Sequence, residues 1–471
     1  MRKRARTGSR TAVALLLAAL LAGCAGKMAL NKPLPADLMN NGPGPISLGG
    51  YHLLSVGPSK APDTLVLLAF SGGGKRSAAF GYGVLKGLRD YPVTIDGHET
   101  PLLDQVDMMA SVSGGSFPAA YYGLYRDKIF TDFEKDFLNQ DVASYVWGTY
   151  LIPWHLGWLV NPDVGTNDRM AKVYDDLMFH GATYGDLLKQ GRPVVSVDAT
   201  DVDHEFVFPF LQDQFDLLCS DLSSYPIARA VAASNGFPVL FSPITLKSYR
   251  EQCGGREPSW LQGKIVDDPL SRVAKQQEIA RTYLNGENTR YVHLLDGGIS
   301  DNLAMRGMIN AILVLTGVVS SERHVDFTHV RRIVLISSDG QAANDGATAR
   351  KRHLSGLGQI FGAVSGTQID SYNFETMILA DSMLDELRDT IRRRRCAAGP
   401  MSPDGHACDD VQSFFVHLSL EEVADPAERD RLQAIPTGLT IPHDDVERLE
   451  VAGETVVMTS PELVAFRNSL R

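Results

Sequence analysis

Cysteine is scarce in this chain: five residues in 471, none of them in a C-x-x-C pair. The twelve histidines form no cluster either. These two absences leave no zinc-type ligand set, and no metal or cofactor is expected. Basic residues are in deficit. Lys and Arg number 45 against 56 Asp and Glu, a net charge of −11. Such a chain repels phosphate backbones, which excludes a general nucleic-acid binder. Nucleotide signatures are missing as well. The glycine cluster in "FSGGGKR" (70–76) fits neither the G-x-x-x-x-G-K-[ST] spacing nor G-x-G-x-x-G. No internal repeat occurs, and no clean linker divides the body. With 44% hydrophobic and 21% charged residues the chain reads as globular.

The first residues are of another kind. "MRKRARTGSR" carries five Lys/Arg and no acid, and "TAVALLLAALLAG" after it is too short for a comfortable membrane span. A charged start, a short apolar core and a small-residue end describe a secretory signal peptide. Cys24 directly after "LAG" resembles the bacterial lipoprotein signal, in which the cysteine is lipidated and becomes the first residue. The plainer alternative is an ordinary signal peptide with a chance cysteine. The expected organisation is therefore a signal peptide over 1–23, a lipidated Pro/Gly/Asn-rich tether over 24–60 and a folded body over 61–471. Cleavage would take the net charge from −11 to −16 by removing five basic residues. Ala25 is not Asp, which by the lipoprotein sorting pattern points to the outer membrane, facing the periplasm. Four cysteines remain, and an exported chain favours disulfides. Three pairings are open; the local one, Cys219–Cys253 and Cys396–Cys408, closes two polar, irregular loops.

Within the body, "TLVLLAF" (64–70) reads as a buried strand, and "AAFGYGVLKGLRD" after it has helical spacing, with Phe80, Val84 and Leu88 on one face. "QVDMMASV" (105–112) is the next strand and "GSFPAAYYGLY" opens another helix. This rhythm implies parallel strands with right-handed crossovers. Later strands are "PVVSVDAT" (193–200), "RYVHLLD" (290–296), "RRIVLISS" (331–338) and "SFFVHLSL" (413–420). A long helix is expected over about 356–395, ending in "RRRR".

Three stretches carry chemistry. In "FSGGGKRSAAFGYGVL" (70–85), glycines between a strand and a helix leave backbone N–H groups open at a helix N-terminus, fit for a phosphate or an oxyanion. In "SVSGGSFPAAYYG" (111–123), a strand-to-helix turn presents Ser113, with Gly114 and Gly115 giving room; Ser111 stands where G-x-S-x-G has its first glycine. In "HLLDGGISDN" (293–302), an apolar strand delivers Asp296. A carboxylate there is costly unless paired or used, and it could take a proton from Ser113. Asp301 is better placed than Asp296 to cap the helix that follows.

In that order, "SGGGKR", "SVSGGS" and "DGGISDN" resemble the patatin-like phospholipase family, from about residue 62 to the C-terminus. "ARAVAASNGFPVLFSPITL" (228–246) is similar to the family's Ala/Ser-rich segment, and "VVSVDATDV" to its strand toward the cleft. The resemblance implies a patatin-like three-layer α/β/α fold with a mostly parallel central sheet and a C-terminal helical and strand extension. It implies a lipid acyl hydrolase, a serine hydrolase of carboxylic esters working without cofactor through a Ser–Asp dyad. Ser113 would be the nucleophile and Asp296 the base. Gly72, Gly73 and Gly74 would form the oxyanion hole, and Arg76 matches the family's basic loop residue, a possible headgroup contact. Ser111 and Ser77 replace glycines of the family pattern.

Two other functions stay open: a Ser–His–Asp esterase using His324, His329 or His353, and a non-catalytic lipoprotein that binds lipid or a partner. Weaker signals are weighed against plain ones. "SYVWGTYLIPWHLGWLV" (144–160), with Trp147, Trp154 and Trp158, is either a lid or lipid-facing surface, or core packing. "RRRR" (392–395) meets anionic headgroups or is a solvated helix end. "DVGTNDR" (163–169) lacks EF-hand ligand spacing and reads as a turn and helix start. His293 reads as a structural neighbour of Asp296.

Overall fold

A computed structural model describes residues 30–35, 50–53, 63–144 apart from 96, and 165–315 apart from 239, 262–265, 267 and 269. It further describes 327–342 and 357–470 apart from 398 and 402–404. The signal peptide, Cys24, Trp147, Trp154, Trp158, His324 and His353 lie outside the described residues.

The frame is one eight-stranded sheet. Its strands are β1 (Thr64–Phe70), β2 (Val106–Val112), β3 (Val194–Asp201), β4 (Phe206–Pro209), β5 (Ile244–Lys247), β6 (Tyr291–Leu295), β7 (Arg332–Asp339) and β8 (Gln412–Ser419). The order is β8-β7-β1-β2-β3-β6-β5, with β4 paired to β3. From β8 to β3 all neighbours are parallel; β6, β5 and β4 add antiparallel pairs. The sheet is thus mostly parallel, as the α/β rhythm implies. β1 and β3 are buried along their whole length, because helices cover both faces; continuous apolar runs suit such strands. The six longer strands lie within a residue or so of their expected positions. The short strands β4 and β5 are four residues each, too short for a pattern to mark them, and pairing with a neighbour defines them.

From β1 the chain steps to β2 and β3 on one side, and β7 and β8 later return on the other. Connections therefore diverge at the carboxyl end of β1, the usual place for a site in such a sheet.

Helix α1 (Gly74–Asp90) buries Phe80, Val84 and Leu88, as its spacing predicts. Its other face is buried too. A C-terminal helix, His443–Thr459, lies against it so closely that a Cβ on Gly83 would stand 2.1 Å from the Glu450 carbonyl oxygen. Gly453 faces Phe80 O in the same way, at 2.3 Å. Two helix backbones touch there because neither carries a side chain between them.

Two pieces of the stretch expected to be a tether are packed on the body. Lys32–Pro33 pairs with Ser220–Asp221, and Asn31 Nδ2 donates to Ser220 Oγ at 2.7 Å. Tyr51 is fully buried, and its hydroxyl accepts from Val195 N–H of β3 at 2.6 Å. The structure joins Cys219 to Cys253 and Cys396 to Cys408, the local pairing. Among the described residues no helix is long and apolar enough to cross a membrane.

The arginine run divides. Arg392, Arg393 and Arg394 are exposed near the end of the long helix Leu357–Ala397. Arg395 is buried and donates to the carbonyls of Thr328, Val330, Ala407 and Cys408. The plain reading of a solvated helix end holds for three of the four; the last is a staple between the helix and two loops. "DVGTNDR" runs into a helix over Thr166–Tyr174, with Gly165 N–H bonded to Asp168 Oδ2 at 3.0 Å.

Candidate active site

Ser113 follows β2 directly and opens a short turn, Ser113–Gly115, before helix α2 (Ser116–Tyr125). Its φ is +50°, a left-handed conformation that L side chains rarely adopt and that clusters at functional turns. Gly114 makes the turn possible, since a Cβ there would stand 2.0 Å from Gly74 O. Ser111 lies within the strand and bonds Ser196 O at 3.0 Å. The missing first glycine costs nothing, because Ser111 keeps ordinary strand geometry. Ser77, the other departure, bonds Ser71 O at 2.6 Å inside the glycine loop.

Asp296 comes off the end of β6 with Oδ2 3.1 Å from Ser113 Oγ. Its Oδ1 accepts from Gly298 N–H at 2.8 Å, which leaves Oδ2 for the serine. Burial pushes its pKa up to about 6, opposed by the Gly298 amide and by Ser113. The backbone is pinned on both sides. Asp296 N–H donates to Gly236 O, Gly297 N–H to Ser234 O, and Thr200 Oγ1 to Asp296 O. Asp301 takes the capping place: its Oδ2 accepts from Gly307 N–H at 2.9 Å in the first turn of the helix Met305–Leu315.

The glycine loop lies against the serine: a Cβ on Gly72 would stand 3.3 Å from Ser113 Cβ. The three glycines are not equivalent, however. Gly72 N–H is committed to Asn302 O at 2.8 Å. Gly72 is therefore corrected from oxyanion donor to a point of close approach, where a Cβ would also meet Asn302 Oδ1 at 2.3 Å. The amides of Gly73 and Gly74 have no partner among the described residues, and their φ values of +138° and +62° suit glycine.

Arg76 is a second correction. It is buried, with Nε donating to Gly340 O at 2.8 Å and Nη1 to Ile435 O at 2.6 Å. Burial lowers its pKa to about 10, with Asp339 opposing. The guanidinium ties the start of α1 to the carboxyl end of β7 and to the C-terminal segment, so two of its donors are committed to carbonyls. Lys75 beside it is also buried, over the Phe137 ring and bonded to Gln140 O.

Sequence reasoning passed over the residues that frame Ser113 from the other side. Ser113 N–H donates to Ser234 Oγ at 2.8 Å, and Ser234 Oγ donates to Asp198 O at 2.6 Å. Asn235 Oδ1 is 3.0 Å from Ser113 Oγ, and its Nδ2 is 2.9 Å from the Tyr174 hydroxyl. Both residues sit in the quoted "AASNGFP"; two polar residues in a run of alanines were the available signal. No described histidine, His329 included, is hydrogen-bonded to Ser113 or Asp296. His293 points outward to Asp203 at 2.9 Å.

A doubly wound, mostly parallel sheet with a strained serine at one strand end and a glycine loop at the next defines a class of α/β protein. A family model described as patatin-like phospholipase matches residues 68–309. The chain belongs to that family, one of lipid acyl hydrolases. No curated protein matches it. Among solved structures, human GIVD cytosolic phospholipase A2 is similar at 14% identity with a TM-score of 0.39, over 86% of this chain and 62% of that one. The same enzyme in complex with methyl gamma-linolenyl fluorophosphonate gives 14% identity and 0.37, over 87% and 59%. The chain thus spans less than two thirds of their length.

Proposed function

We propose that this protein hydrolyses acyl esters of membrane lipids through Ser113 and Asp296. The observation that carries the reading is the 3.1 Å approach of Asp296 Oδ2 to a serine held at φ +50°. Ser113 Oγ attacks the ester carbonyl carbon, and its proton passes to Asp296 Oδ2. The negative charge on the former carbonyl oxygen is held by the amides of Gly73 and Gly74. Collapse breaks the ester C–O bond, and the leaving alkoxide takes the proton from Asp296. Water then attacks the acyl-serine carbonyl carbon, giving its proton to Asp296; collapse breaks the bond to Ser113 Oγ, which takes that proton back as the free fatty acid leaves. A base whose pKa stands near 6 rather than 4 is matched to proton transfer close to neutral pH. Lipidation at Cys24 would hold the catalytic body at the outer membrane, beside its substrate; this rests on the leader alone.

The test is labelling by a fluorophosphonate, followed by fatty-acid release from phospholipid vesicles, with wild type, Ser113→Ala and Asp296→Asn. Labelling and release by wild type alone support the dyad. A Ser113→Ala protein that still releases fatty acid sinks it.

A further inference from the structure

A cavity of about 450 Å³ lies between the ends of β3 and β4, the helices Arg272–Leu284 and Met305–Leu315, and the long helix Leu357–Ala397. Ser113 does not line it. Thr200 and Ser300 do, and their hydroxyls are 2.8 Å apart. Three cations line the space, Arg272, Lys275 and Arg306, against one lining acid, Glu205; Lys275 is also paired with Glu278 at 3.1 Å.

The two arginines lack the partners that several other shielded arginines have. Arg331 pairs with Asp410, Arg332 with Asp63, and Arg76 and Arg395 with backbone carbonyls. Arg272 donates only to the neutral Asn310 Oδ1, at 3.0 Å, and its Nε is buried without a partner. Arg306 donates to Thr376 Oγ1 at 2.8 Å and lies 4.8 Å over the Tyr372 ring. Neither has a described carboxylate within ion-pair distance. Burial, and then Arg306 itself, lower the pKa of Arg272, while Asp301 opposes both. Two guanidinium groups that repel each other across a cavity, in a chain of net charge −11, are stabilised by an anion between them. Their fixed forks match the oxygens of a phosphate better than a single carboxylate.

We propose that this cavity binds a phosphate group, held by Arg272 and Arg306 with Lys275 at the rim. The group comes either from free phosphate or from a glycerophospholipid headgroup. The site is separate from the dyad and does not depend on Ser113 being reactive. It touches the dyad indirectly, since Thr200 also bonds the Asp296 carbonyl.

Calorimetric titration of the full chain with inorganic phosphate and with glycerophosphoglycerol, the deacylated headgroup of phosphatidylglycerol, tests this. Wild type is expected to bind at least one of them, and Arg272→Gln or Arg306→Gln to weaken binding about tenfold. Tighter binding of inorganic phosphate identifies the free ion as the source; tighter binding of glycerophosphoglycerol identifies the lipid headgroup. Far-UV circular dichroism and the ligand-free unfolding midpoint check that the variants fold. Lys275→Gln, at an exposed position, serves if the arginine variants do not fold, with about threefold weakening expected. Binding that is unchanged in the folded variants, or weaker than about 10 mM for both ligands in wild type, overturns the proposal.

Discussion

Asn235 stands as close to the Ser113 hydroxyl as Asp296 does: its Oδ1 is 3.0 Å from Ser113 Oγ. A hydroxyl has one proton, so it cannot donate to both. Two arrangements avoid that conflict. With Asp296 protonated, the carboxyl donates to Ser113, Ser113 to Asn235, and Asn235 to Tyr174. With Asp296 ionised, the amide turns over: Tyr174 donates to Asn235 Oδ1, Asn235 Nδ2 to Ser113 Oγ, and Ser113 to Asp296. The second arrangement points the serine proton at its base.

Asn235→Ala is therefore expected to lower kcat about tenfold while KM stays within about twofold, as for the loss of one hydrogen bond that orients the nucleophile. Tyr174→Phe should act in the same direction, and the double variant should cost less than the sum of the two. Steady-state kinetics with a soluble ester checks this; an unchanged kcat in Asn235→Ala removes the positioning role.

The rate of fluorophosphonate labelling should rise with pH through about 6 and level off above 7. Asp296, held up to about 6 by burial, must be ionised to accept the proton. Asp296→Asn should abolish that limb. A wild-type profile flat from pH 5 to 7, on the scale of about one decade in rate, would show that another group is the base.

Stability should fall as pH rises from about 4 to about 7. Asp198 is pushed up to about 7, by burial first and by Asp301 in addition, and Asp301 itself to about 6, again by burial. Both folded values lie above the unfolded one. In that window the folded chain holds protons that the unfolded chain has released, so the slope of unfolding free energy with pH is negative. Asp198→Asn should flatten it, by on the order of 2–4 kcal/mol across the window. Urea titrations at several pH values measure this; an identical slope in the variant rules Asp198 out.

Arg76→Gln should destabilise the protein by about 2–4 kcal/mol, since it loses two buried bonds from a charged group. Activity should drop by the same factor on a short soluble ester and on phospholipid vesicles. A loss confined to vesicles would return Arg76 to the headgroup.

Much of this molecule is written locally. The apolar runs marked six strands, because a strand buried on both faces needs no partner to be recognised. "SGGGKR", "SVSGGS" and "DGGISDN" marked the turns, because glycine and serine at strand ends report local conformation. Of the three cysteine pairings open in the sequence, the structure joins the local one, which closes two polar, irregular loops. What a local pattern does not carry is the partner across the sheet. Gly72 and Gly73 look alike in sequence, yet only Gly72 gives its amide to Asn302, 230 positions away. Arg76 stands in the first turn of α1, next to the glycine loop, yet carbonyls at 340 and 435 hold it inward. Asn235 reads as one polar residue among alanines until Ser113, 122 positions earlier, closes on it. Sequence by itself determined the strands, the turns and the candidate dyad. Tertiary structure alone decided which amides stay open and which charges are used up, because hydrogen bonds between distant segments exist only once the chain has closed.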